Sequence, residues 1–268
     1  HPNKAGAEKM ATVWFEALKK VLASSETVFS PEIVRYKTLE DGDSLALHIF
    51  KPRNMQAGEK RPAIVYFFGG GWKLGTPIQF YRECAYYASK GMVAVSVDYR
   101  IGYLHHSTPF ESFEDAKDAI CWLRSHASDY QLDPDKIAVA GGSAGGHLAA
   151  ALGTIGSDET VPAGYRPNLS VLYYPVIDMV SRGYGFPEIK RDFEKISPIH
   201  HVSEATPSTL ILLGTKDPIV SVETIEAYQD KLLQKGVDCE LHLFEGAGHP
   251  IFLYRLSLIH ISEPTRPY

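Results

Sequence analysis

Five stretches of the chain are almost uninterruptedly apolar: 63–68 (Ala-Ile-Val-Tyr-Phe-Phe), 92–97, 137–140, 169–173 and 210–213. Runs this short with no polar alternation suit strands buried on both faces, as in a parallel sheet. Two other segments alternate instead. Leu45, Leu47 and Ile49 are interleaved with polar residues, which predicts an antiparallel edge strand, and 240–244 repeats the pattern as a last strand. Helical spacing lies between the strands, at 79–90, 110–128, 144–154 and 222–235. The alternation of strand and helix predicts the α/β class: an open, doubly wound, mostly parallel sheet with right-handed crossovers. No internal repeat or low-complexity linker breaks the chain, so one domain is expected.

Ahead of these elements, Met10, Val13, Trp14, Ala17, Leu18, Val21 and Leu22 share one face of a helix spanning 4–23. It is read as residues 1–30 packed on the domain or as a small cap over it. The main α/β domain is then 31–255.

Composition narrows the picture. The 268 residues are 44% hydrophobic and 22% charged, enough apolar material for one full-sized core. The net charge of −5 is mild and unclustered, which argues against a nucleic-acid partner. No apolar run approaches the roughly 20 residues of a membrane span. Three cysteines, Cys84, Cys121 and Cys239, do not make a disulfide scaffold, although one bridge stays open. Cys121 is read as a small buried hydrophobe. The chain begins at His1 with no Met and no signal-peptide pattern, which suggests a processed form or a fragment.

The chemistry centres on residues 141–147, Gly-Gly-Ser-Ala-Gly-Gly-His, between the apolar run at 137–140 and an Ala-rich helix. A tight strand-to-helix turn flanked by small residues lifts a hydroxyl clear of the backbone, so Ser143 is the candidate nucleophile. A serine hydroxyl needs an adjacent base to attack. His249, in a glycine-flanked loop after the last strand, can reach the same sheet edge and is the candidate base. Asp217, after the strand at 210–213, is the candidate carboxylate that orients it, with Asp178 as a rival. The order Ser, Asp, His suits this type of turn. A second glycine run, Gly69-Gly70-Gly71, follows the strand at 63–68 and allows backbone amides to face a developing oxyanion.

Phe68-Gly-Gly-Gly-Trp72, Asp98-Tyr-Arg100, Gly141-Gly-Ser-Ala-Gly145, Gly214-Thr-Lys-Asp217 and Gly246-Ala-Gly-His249 occur in this order. Together they resemble the α/β-hydrolase superfamily, in particular hormone-sensitive-lipase-like esterases and the related carbohydrate and feruloyl esterases. The resemblance covers about residues 40–252. It implies an oxyanion hole made by the N–H groups of Gly70, Gly71 and Ala144. Lipase-like members usually carry His before the three glycines; Phe68 stands there instead and must hold the loop by packing. The resemblance also implies a structural pair between Asp98 and Arg100, which Asp115 can join. It implies a closing helix after His249, whereas Ser257–Tyr268 reads as non-native sequence. The native closing helix is therefore expected to be missing, with the tail from 256 non-native and Phe252, Leu256 and Ile259 offering a substitute apolar face.

Other residues are weighed against duller roles. His105-His106 and His200-His201 read as solvated loop pairs, and His147, one turn after Ser143, as a packed helix residue. Trp72 is the candidate substrate-binding residue; Tyr103, Phe110 and Tyr174 are further pocket aromatics, and Glu111 is placed near a polar leaving group. No C-x-x-C or H-x-x-x-H frame suggests a metal, and no G-x-G-x-x-G follows the first strand, so no cofactor is expected. The expected function is a serine carboxylesterase for short acyl esters, with acetyl or feruloyl groups on plant polysaccharide implied by the resemblance. A serine peptidase of the same fold and a non-catalytic binding member remain alternatives. The resemblance also allows a homodimer and favours an exported location.

Overall fold

The computed structural model describes residues 30–53, 55–156, 163–179 and 192–250. The chain divides into two compact units, His1–Pro31 and Glu32–Tyr268. The helix expected at 4–23, the substitute face around Phe252, Leu256 and Ile259, and the tail from 256 lie outside the described residues.

The larger unit is built on eight strands: β1 (Glu32–Thr38), β2 (Ser44–Phe50), β3 (Arg61–Phe67), β4 (Val93–Val97), β5 (Leu132–Gly142), β6 (Leu169–Tyr173), β7 (Thr209–Gly214) and β8 (Cys239–Phe244). They form one sheet in the order β1-β2-β4-β3-β5-β6-β7-β8. The first two pairings are antiparallel and the other five parallel. The five apolar runs all become parallel strands, and every residue of β4 is buried, as a strand covered on both faces requires.

The alternating segment at 45–49 is antiparallel as expected but is not the edge. β1 pairs outside it, from Glu32 opposite Ile49 to Thr38 opposite Ser44. Its mixed charged sequence (Glu-Ile-Val-Arg-Tyr-Lys-Thr) and exposed positions, Ile33 among them, gave no buried-strand pattern. β5 begins at Leu132, before the apolar run, because Leu132 already pairs with Arg61 ahead of a register shift.

Helices α1 (Tyr81–Ser89), α2 (Pro109–Ser125), α3 (Ala144–Thr154) and α4 (Val222–Gln234) fill the connections. α2 starts with a capping box: the Thr108 side chain accepts from Phe110 N–H, and the Glu111 carboxylate accepts from Thr108 N–H at 2.7 Å. Glu111 is thus a helix cap, and the structure does not bear out its assignment to a leaving group. The buried stripe of α2 runs through Phe113, Ala116, Ile120 and Leu123. Cys121 lies off that stripe and is exposed, contrary to expectation; all three cysteines are free. Every residue of α3 is buried, which its small, apolar composition allows. Among the described residues no helix is long and apolar enough to cross a membrane.

The expected Asp98–Arg100 pair is replaced by another. Asp115 on α2 is wholly buried and takes both Nε and Nη2 of Arg100 at 2.8 Å, with the Arg100 backbone N–H at 2.9 Å. Lys37 on β1 adds a third cation-side donor at 2.6 Å. Asp98 instead accepts from the backbone of Tyr99, and burial raises its pKa to about 6. The Asp115 cluster ties β1 and the chain after β4 to α2. Because Arg100 and Lys37 keep partial exposure, Asp115→Ala should cost about 2–3 kcal/mol, somewhat under the cost of breaking a fully buried pair. The urea midpoint measures this; an unchanged midpoint would contradict a bracing role.

Candidate active site

β5 ends directly at Ser143, whose backbone sits at φ 55°, ψ −118°. For a residue other than glycine this is a strained conformation that the surroundings must enforce. They do so through the neighbouring strand and loop. Ser143 N–H donates to the Tyr173 carbonyl at 3.0 Å, while its own carbonyl accepts from His147 N–H at 2.9 Å and Val176 N–H at 3.4 Å. Two residues on, a Cβ at Gly145 would lie 2.0 Å from the Phe67 carbonyl oxygen, so only glycine fits.

His249 and Asp217 arrive on two loops that are stitched together. Lys216 N–H donates to the Ala247 carbonyl at 2.9 Å, and Gly246 N–H to Thr215 Oγ1 at 2.8 Å. Asp217 is buried. Its Oδ1 accepts from the N–H groups of Ile219 and Val220 at 2.8 and 2.9 Å, and its Oδ2 from His249 Nδ1 at 2.7 Å. A carboxylate can only accept here, so the ring proton lies on Nδ1 and Nε2 is free to accept. Nε2 stands 2.9 Å from Ser143 Oγ. The three residues singled out from the sequence are therefore in one hydrogen-bonded line.

The glycine turn closes over them. Gly70 and Gly71 take φ 140° and 63°, and Trp72 takes 57°. The Gly70 carbonyl accepts from both Lys73 and Leu74 N–H at 3.1 Å. A Cβ built on Gly69 would come 3.4 Å from Ser143 Cβ, so turn and serine are in contact range. Among the described residues, the N–H groups of Gly70, Gly71 and Ala144 donate to no protein group. Phe68 stacks on Tyr99 with centroids 4.1 Å apart, and Tyr99 hydroxyl donates to the Phe68 carbonyl at 2.6 Å. Packing thus anchors the turn, as the departure from histidine required.

Trp72 is buried, edge-on to His147 at 5.1 Å, and with Gly71, Tyr103 and Ser107 borders a cavity of about 170 Å³. Phe110 is not among the residues bordering it. Tyr174 lies instead against His249, a contact the sequence did not signal beyond the end of β6 at Tyr173. Asp178 is 4.0 Å from His200 and does not reach His249. His201 donates to the Glu194 carbonyl. His105 is mostly buried, accepting from Ile101 N–H, because residues 102–105 form a helical turn rather than a solvated loop. Among the described residues no group of three or more His, Cys, Asp or Glu could hold a metal ion.

Residues 47–181, which include the glycine turn and Ser143, match the BD-FAE family. The chain belongs to the BD-FAE family. Its α/β-hydrolase sheet superposes on a thermophilic esterase, Est2, of Thermogutta terrifontis with a TM-score of 0.77 at 37% identity, covering 83% of this chain and 84% of that one. Est2 has been solved with butyrate bound and phosphorylated by paraoxon. Among curated proteins, Esterase LipC of Mycobacterium tuberculosis is 28% identical over 78% of this chain and 57% of its own length. An acetylxylan esterase of Xylanibacter ruminicola is 26% identical over 79% of this chain and 44% of its own. This BD-FAE chain spans about half the length of the curated relatives it matches.

His147, on the first turn of α3, sets a pH limit on the fold around Ser143. Its Nε2–H donates to the Ile196 carbonyl at 2.6 Å, and burial pushes its pKa from 6.5 down to about 4. Between those values the unfolded chain binds a proton that the folded chain does not, so stability falls as pH drops through that window. The slope reaches about 1.4 kcal/mol per pH unit. Comparing urea midpoints at pH 7 and pH 5, His147→Gln should lose less stability on acidification than the parent protein. An equal loss in both would remove His147 as the cause.

Proposed function

We propose that this BD-FAE protein is a serine carboxylesterase acting on short acyl esters. The observation that carries the reading is the line from Asp217 through His249 to Ser143, with bonds of 2.7 and 2.9 Å. As Ser143 Oγ attacks the ester carbonyl, His249 Nε2 takes its proton. Asp217, held by two backbone donors, favours the imidazolium that forms. The carbonyl oxygen gains negative charge and is met by the N–H groups of Gly70, Gly71 and Ala144. His249 returns the proton to the leaving alcohol, and the acyl group stays on Ser143. A water then gives its proton to His249, attacks the acyl carbon, and releases the acid as Ser143 regains its proton.

The acyl group is read as short because the structurally similar Est2 has been solved with propionate and with butyrate. The cavity of about 170 Å³ bordered by Gly71 and Trp72 lies beside the glycine turn. Trp72 walls that cavity and is the proposed substrate contact. The acetylxylan esterase relative extends the proposal to acetyl groups on polysaccharide.

Hydrolysis of p-nitrophenyl esters from acetate to decanoate should peak at acetate to butyrate. Ser143→Ala should abolish it, and Asp217→Asn should lower kcat by about 10³–10⁴-fold by leaving the imidazole in the wrong tautomer. Turnover that survives Ser143→Ala would overturn the proposal. Release of acetate from acetylated xylan, against no release from butyrylated glycerides, then tests the polysaccharide reading.

A further inference from the structure

We infer that Tyr174 is a positioning residue, setting the imidazole of His249 against the hydroxyl of Ser143; this rests on the esterase reading above. Its backbone is at φ 39°, a left-handed conformation that costs a non-glycine residue about 1–3 kcal/mol. The surrounding hydrogen bonds enforce it. Tyr174 N–H donates to the Leu212 carbonyl at 2.7 Å, while its neighbours Tyr173 and Val176 hold the N–H and the carbonyl of Ser143. The segment 173–176 therefore grips the serine from both sides of its peptide, and Tyr174 projects from the middle of that grip.

The side chain links the serine turn to the base. Its ring centroid is 4.8 Å from that of His249 at an interplanar angle of 61°, and the residue is 1% exposed. The far end of the ring lies over the serine turn, where a Cβ added to Gly142 would meet the Tyr174 hydroxyl at 2.7 Å. The bond from Nδ1 to Asp217 fixes one end of the imidazole but leaves it able to tilt about the Nδ1–Oδ2 axis. A rigid aromatic wall against its side removes that freedom, so Nε2 stays on the serine hydroxyl. The hydroxyl of Tyr174 is buried with no hydrogen-bond partner among the described residues. The ring is the part of Tyr174 that packs on His249.

Tyr174→Phe and Tyr174→Met in the full chain, assayed on p-nitrophenyl butyrate, separate these roles. The Phe variant should keep kcat within about twofold. The Met variant should lose about 10–100-fold in kcat with KM nearly unchanged, the scale expected for a misplaced catalytic group. In a His249→Ala background the Met substitution should change the residual rate less than about twofold, because its effect passes through His249. A Met variant with parental kcat, or one that lowers the His249→Ala residual rate equally, overturns the inference. A tenfold fall in kcat of the Phe variant also overturns it, by giving the role to the hydroxyl. If the Met variant does not fold, Tyr174→Leu takes its place and is read by the same outcomes. A parent protein lacking Ser143-dependent turnover fails the esterase reading itself, whereas an active parent indifferent to Tyr174 fails only this inference.

Discussion

The carbonyl oxygen of Phe67, at the end of β3, occupies the place where a side chain at residue 145 would begin, 2.0 Å from that Cβ position. Nearly everything about the site follows from this close approach. It requires glycine at 145 and brings the first turn of α3 against the end of the central strand. The chain then has one residue, Ser143, in which to change from strand to helix, and it does so in a left-handed conformation that raises the side chain above the sheet. The same carbonyl end of β3 leads straight into the glycine turn at 69–71, so the serine and the glycine turn are brought within contact range by one approach.

Around that fixed point the sheet distributes the remaining chemistry by strand order. β6 and β7 run parallel to β5 on the far side from β3, and β8 closes the series. Loops leaving β5, β7 and β8 therefore emerge at one sheet edge, as ligands and catalytic groups do in open α/β sheets. The hydrogen bonds between 215–216 and 246–247 draw the last two loops together before any side chain is considered. Asp217 then has its backbone donors, and His249 has one partner at each ring nitrogen.

Much of this was legible in the residues. Continuous apolar runs mark strands buried on both faces, and Ser143, Asp217 and His249, read from the loops after β5, β7 and β8, lie in one hydrogen-bonded line. The failures have physical causes. β1 shows no core pattern because none of its residues is fully buried: Glu32, Ile33 and Arg35 are exposed, and the half-buried Lys37 reaches a buried carboxylate on α2. Arg100 pairs with Asp115 and not with its near neighbour Asp98, because the helix brings a remote carboxylate to it in a geometry that the adjacent one does not have. Glu111 looked free for substrate but serves the helix end three residues behind it. The apolar segment around Cys121 predicts burial, but its phase on α2 places it off the buried stripe. The contact of Tyr174 with His249 depends on a single left-handed residue, which no spacing rule foretells.

The central claim is that Ser143 is a nucleophile activated by His249. Treating the protein with paraoxon and locating the product by intact-mass and peptide mass spectrometry tests this most directly. One diethylphosphoryl group per chain is expected, on Ser143, formed far more slowly in His249→Ala. Modification of a different residue, or an equal rate in the His249→Ala variant, would contradict it.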